Sequence, residues 1–89
     1  MGQRFDGFEI DVSPWVEEKI LKYHDVKVHE VEEAYANFSG VMVRPKNPEH
    51  DPPPTYRFIA ETFSERELVV FVAPDYKRRI LKVKTAFER

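Results

Sequence analysis

Between two turn-forming segments, Ser64-Glu65-Arg66 and Pro74-Asp75, runs the unbroken apolar stretch Leu68-Val69-Val70-Phe71-Val72-Ala73. A strand with apolar residues on both faces must be covered on both faces, so this segment belongs in the middle of a sheet. Tyr56 to Phe63 precede it as a strand, and Tyr76 to Phe87 follow it as a long last strand. Short turns join the three, which makes their pairing antiparallel. In the last strand, a period of two separates Leu81, Val83, Thr85 and Phe87 from Arg78, Ile80, Lys82, Lys84 and Ala86. One face is expected to join the core while the other is basic.

The first half reads as a strand and two helices. Within Phe5 to Asp11, the alternation Phe8-Glu9-Ile10-Asp11 predicts a short strand. Ser13 supplies an N-cap oxygen, and Pro14 takes the first helical position, where its missing N–H costs nothing. This helix is expected to run to about His24, with Trp15, Val16, Ile20 and Tyr23 on its buried side and Lys19 and Lys22 projecting away. After a turn at Asp25 to Lys27, a second helix runs from about His29 to Phe38, because Val31, Ala34, Tyr35 and Phe38 recur at amphipathic spacing. Gly40 stops it, and Val41 to Val43 form a further strand. Arg44 to Pro54 carry Pro45, Pro48, Pro52, Pro53 and Pro54, so residues 44–54 form an extended loop, either a plain connector or a partner-docking flap. The predicted order is β-α-α-β-β-β-β. Residues 1–89 are thus read as a single α+β domain, an antiparallel sheet with two N-terminal helices packed on one face.

Composition narrows the function classes. The chain of 89 residues has no cysteine, which removes disulfides, thiolate nucleophiles and cysteine-based zinc sites. Met1 to Asp11 holds no apolar run of signal-peptide length, and no segment has the length of a membrane span. The chain is therefore expected to be cytoplasmic. Its net charge of −2 does not suggest a bulk nucleic-acid binder, but the charge is unevenly spread. Residues 1–43 carry a net of −5 and residues 44–89 a net of +3, which marks either an acidic face and a basic face or ordinary solubilising charge.

The basic face carries the strongest chemical signal. Lys82 and Lys84 share one side of the last strand with Arg78, and Arg66 and Arg57 are candidates to join them; the face is either a functional surface or a solvated one whose lysines guard against edge aggregation. Clustered cations bind phosphates and release counterions, and they stabilise the charge that develops when a phosphodiester is cleaved. Tyr56 and Tyr76 are candidates to stack on bases. His24, His29 and His50 lack the spacing of a metal site, so no metal and no cofactor is expected. His24, at a helix C-terminus, has either a dipole-capping role or an acid–base one. Glu17, Glu18, Glu30, Glu32 and Glu33 read as a solvated face or a surface for a basic partner.

Phe8-Glu9-Ile10-Asp11, Lys22-Tyr23-His24-Asp25-Val26, Glu30-Val31-Glu32-Glu33-Ala34-Tyr35, Tyr56-Arg57, Arg66-Glu67-Leu68-Val69-Val70-Phe71 and Thr85-Ala86 with Glu88-Arg89, taken in this order, resemble the motifs of the BrnT-like toxins of the RelE-like fold group. Phe8-Glu9-Ile10-Asp11 is similar to their opening F-E-W-D. Lys22-Tyr23-His24-Asp25-Val26 resembles their K-H-G-V turn, and Glu30-Val31-Glu32-Glu33-Ala34-Tyr35 resembles their E-V-x-E-A-F helix. Tyr56-Arg57 is placed like their G-x-R-Y segment. Arg66-Glu67-Leu68-Val69-Val70-Phe71 is similar to their G-R-x-L-V-V-V-F hairpin. Thr85-Ala86 with Glu88-Arg89 resembles their T-A-R…E-R ending.

The resemblance implies a small metal-independent endoribonuclease of a toxin–antitoxin pair. Such a protein inhibits translation and is neutralised by a BrnA-like antitoxin. It places His24, Arg57 and Arg66 in the catalytic group. The residues themselves add Arg78, Lys82, Lys84 and Tyr76 as nucleic-acid-binding groups. The chain departs from the family pattern at three positions. Asp25 and Glu65 stand where the motifs carry glycine, at positions expected to have positive φ, and Phe87 stands where T-A-R has its arginine. The loss of that cation supports an alternative reading, a degenerate, non-catalytic fold of the same kind acting as a protein-interaction module.

Overall fold

The computed structural model describes residues 2–44 and 54–89. The elements follow in the order β1 (Gly2–Gln3), β2 (Glu9–Asp11), α1 (Pro14–His24), α2 (Val28–Asn37), β3 (Met42–Val43), β4 (Tyr56–Glu61), β5 (Glu67–Asp75) and β6 (Ile80–Glu88). The strands form one six-stranded sheet in the order β1-β3-β4-β5-β6-β2. The α+β class, the two helices and the central place of the Leu68–Ala73 run agree with the sequence. Most of the proline loop, residues 45–53 with His50 and Asp51, lies outside the described residues.

Four expectations need correction. A strand at Gly2–Gln3 precedes the expected first strand, which itself shrinks to Glu9–Asp11. That strand pairs with β6 in parallel, so the sheet is mixed rather than wholly antiparallel. Pro74-Asp75 does not turn the chain but continues β5 opposite Leu81 and Ile80, and the turn falls at residues 76–79. The pairing with β4 ends at Val72, so beyond it β5 is an edge on that side, where a strand tolerates the missing N–H of proline. Finally, the period of two in β6 changes phase. A bulge sets Phe71 opposite Thr85 and Val72 opposite Val83, so Lys84 is the extra residue. Leu81, Val83 and Ala86 point to the core, and Thr85 and Phe87 join Lys82 and Lys84 on the other face.

Both ends of α1 and the start of α2 follow their local chemistry, while α2 stops at Asn37 with an extended Phe38, two residues before the glycine expected to end it. The Ser13 hydroxyl accepts from the Val16 N–H at 3.3 Å, and Pro14 opens α1. Asp25 closes it with φ 53°, its N–H donating to the Leu21 carbonyl at 3.2 Å. In α2, the Glu30 carboxylate reaches back to the Lys27 N–H at 3.0 Å, satisfying one of the free donors of the helix start. Ile20 of α1 and Val31 and Ala34 of α2 are fully buried and share one cluster with Leu68, Val70, Val72, Leu81, Val83 and Ala86. Both helices therefore cover the same face of the sheet. α1 offers a narrower stripe than its spacing suggests, for Trp15 is 76% and Tyr23 67% exposed.

The Cα radius of gyration, 12.1 Å, equals the value of about 12 Å expected for one packed domain of this length. No helix among the described residues is long and apolar enough to cross a membrane.

Candidate functional site

The face of the sheet turned away from the helices is organised by the register. Arg57, Phe71 and Thr85 lie side by side across β4, β5 and β6, with Lys84 in the bulge beside Thr85. Ile59, Val69 and Phe87 form the next row, and Ala73 and Lys82 a row on the other side. Phe71 and Phe87 stack with centroids 6.2 Å apart and planes inclined by 26°. Both rings are half-buried, so part of each meets solvent, while Val69 and Ala73 beside them are buried. Neighbouring strands are about 4.8 Å apart, so Arg57 flanks Phe71 on one side and the Lys84–Thr85 bulge flanks it on the other. Lys82 and Lys84 are exposed, and the side chains of Arg57, Lys82 and Lys84 make no ion pair or hydrogen bond among the described residues.

One end of this face is closed by the end of α1. The exposed His24 ring packs against Phe87 with centroids 5.7 Å apart. The backbone beneath His24 is fixed by Arg66, which donates through Nη1 to the Asp25 carbonyl at 2.8 Å and through Nη2 to the His24 carbonyl at 3.5 Å. The same guanidinium donates from Nη1 to both Glu30 carboxylate oxygens, at 2.9 and 3.0 Å, and from Nε to Glu88 at 3.1 Å. All three of its nitrogens are engaged, and the residue ties together the end of α1, the start of α2 and the end of β6. Burial alone would raise the Glu30 pKa, but the Lys27 N–H and the Arg66 guanidinium outweigh it and hold the carboxyl below its ordinary value. Burial likewise works against the Arg66 charge, and Glu30 and Glu88 more than offset it, so the Arg66 pKa is raised.

The other end of the face carries Tyr76. Its ring packs against Phe5 and Phe8 at 6.1 and 6.0 Å, and its hydroxyl donates to Gln3 at 3.3 Å. With Lys82, Lys84 and Ala73 it lines a shallow cavity of about 350 Å³. Arg78 is exposed in the adjoining turn, where its N–H donates to Asp75. Tyr56, the other expected stacking residue, is buried against Phe5 and is not on this surface.

The sequence-selected residues therefore fall into three zones along β6. His24 and Arg66 meet at one end, Arg57 and Lys84 stand in the middle row, and Lys82, Tyr76 and Arg78 occupy the other end. Lys82 and Phe87 are roughly 16 Å apart along the strand at the usual rise per residue, so no single small group touches all of them. Sequence reasoning missed Phe71 and Phe87 as a surface pair. A strict alternation sends Phe87 to the core, and nothing local in the sequence marks the bulge. Comparison with protein families, with curated proteins and with solved structures found no match to this chain.

Proposed function

We propose that this chain is an RNA-binding protein of the BrnT-like toxin type, which acts on RNA as one member of a toxin–antitoxin pair. The observation that carries the reading is the row Arg57, Phe71, Lys84–Thr85: cations without an ion-pair partner among the described residues, on both sides of a half-buried ring. Phosphates supply the complementary charge and bases the complementary surface. The length of the cationic face suits a strand of several nucleotides better than a compact metabolite. The two glycine positions of the family motifs add support, for Asp25 and Glu65 both adopt left-handed backbone here, with φ 53° and 65°.

Cleavage within this reading proceeds through the RNA's own 2′-hydroxyl. That oxygen must lose a proton, the leaving 5′ oxygen must gain one, and the phosphate charge must be stabilised. His24 is the acid–base candidate, and Arg57 and Lys84 are the cations that flank Phe71 in the register. Arg66 acts through His24, as a positioning residue whose hydrogen bonds hold the imidazole's backbone against the face. Phe87 in place of a cation favours a second reading, in which RNA is held and not cut, or the face serves a protein partner such as a BrnA-like antitoxin.

Induced expression in bacterial cells, with growth followed and new RNA 5′ ends mapped, tests cleavage. Arrest with fresh ends, abolished by Arg57→Ala with Lys84→Ala, is the expected result. Normal growth with intact RNA overturns the nuclease reading and leaves binding.

A further inference from the structure

The proposed RNA reading leaves open whether the ligand is paired or single-stranded, and the outer face distinguishes them. Resting on that reading, we infer that the ligand is single-stranded RNA, with an unpaired base seated on the Phe71–Phe87 pair and its flanking phosphates held by Arg57 and Lys84.

The first support is the kind of surface offered. Phe71 and Phe87 are half-buried, near-parallel neighbours with centroids 6.2 Å apart on the sheet face that the helices leave uncovered, and His24 extends the ring series at 5.7 Å. A ring platform recognises the flat face of a base, and that face is free only when the base is out of a duplex. In an A-form duplex the base faces are stacked on each other, and proteins meet chiefly phosphates and 2′-hydroxyls. A surface made for a duplex would need only the cations.

The second support is where the charges stand. Arg57 is the register partner of Phe71 on β4, and Lys84 is the bulge residue that shares Phe71 with Thr85 on β6. The bulge therefore gives two results at once. It turns the Phe87 ring outward and sets a lysine beside the ring pair. Asp11 and Glu9 share this face opposite Lys82 and Ile80, and Glu61 opposite Glu67, but no carboxylate stands in the row of Arg57, Phe71 and Lys84, and three others are engaged. Glu67 pairs with Arg89 at 3.7 Å, Glu88 with Arg66 at 3.1 Å, and Asp75 accepts from the Arg78 N–H at 3.2 Å. A base on the platform thus has cations on two sides and His24 on the third.

The test uses the full chain and three labelled probes in fluorescence anisotropy at about 50 mM salt: a single-stranded RNA 12-mer, a duplex of equal length, and the 12-mer with abasic sites. The intact single strand should bind at least tenfold more tightly than the abasic one, the size expected for stacking of one or two bases. It should also bind more tightly than the duplex. Phe87→Leu should remove most of the preference over the abasic strand. Equal affinity for all three probes, with binding still lost in Lys82→Ala/Lys84→Ala, would overturn this inference while the RNA reading stands. No binding to any probe would overturn both. Because the abasic comparison uses the unaltered protein, it decides the matter even if Phe87→Leu does not fold.

Discussion

Arg66→Ala should destabilise the fold strongly, and the size of the loss follows from the partners it leaves behind. The Arg66 and Glu30 side chains are 20% and 14% exposed, so the pair sits between the surface and interior cases. Removing one partner of a fully buried pair costs about 3–5 kcal/mol, because the other charge is stranded. Here Glu30 keeps the Lys27 N–H and some solvent, which reduces that term to about 2 kcal/mol. The bond to Glu88, whose side chain is 56% exposed, adds little. Freeing the carbonyls of His24 and Asp25 at the end of α1 adds roughly 1 kcal/mol. The sum is about 3 kcal/mol, or a fall in melting temperature of roughly 12–24 °C for a domain of this size. Urea unfolding followed by circular dichroism measures it, with Glu30→Gln and the double variant completing a cycle. A loss below about 1 kcal/mol, or strict additivity in the cycle, would refute the view of Arg66 as the tie between the helices and the sheet.

Other outcomes follow from the same structure. The folded state holds the Glu30 pKa below its unfolded value, so this stabilisation is complete above the ordinary glutamate range and is lost as pH falls through the lowered native value; urea midpoints of wild type should drop more steeply in acid than those of Glu30→Gln. Glu65 has φ 65°, so Glu65→Gly should raise stability by about 0.5–1 kcal/mol, visible as a higher urea midpoint with unchanged slope. Trp15→Ala should change stability by less than about 0.5 kcal/mol despite the size of the ring, since Trp15 is 76% exposed; a loss of 2 kcal/mol would show a packing role that its exposure denies.

The sequence made some of this legible and hid the rest for definable reasons. α1 was readable from Ser13-Pro14, since capping is local chemistry. The central place of β5 was readable from Leu68 to Ala73, but the expected cover on both faces was not met, for both helices pack on one face and Phe71 stays part-exposed on the other. The positive φ at Asp25 and Glu65 was readable only through the resemblance to motifs that carry glycine there. Pairings distant in sequence were not readable. Arg66 meets Glu30 and Glu88 across 36 and 22 positions, and no spacing rule connects them. The parallel pairing of β2 with β6 brings Ile10 beside Leu81, which is likewise a property of the packed chain. The bulge at Lys84 depends on how β6 registers against β5, and it changed the site most. It exchanged the expected places of Ala86 and Phe87, and so turned an expected core ring into a surface one. Trp15 and Tyr23 were misplaced because helical spacing fixes which residues share a face, not how wide a stripe the sheet can cover.

The most direct test of the central claim is a backbone amide shift map of the isotope-labelled chain, titrated with a short single-stranded RNA. The account predicts shifts concentrated at Arg57, Phe71, the Lys82–Phe87 stretch and His24, on the face away from the helices. An unperturbed spectrum at saturating RNA, or shifts confined to Trp15, Lys19 and Tyr23 on the outer side of α1, would contradict it.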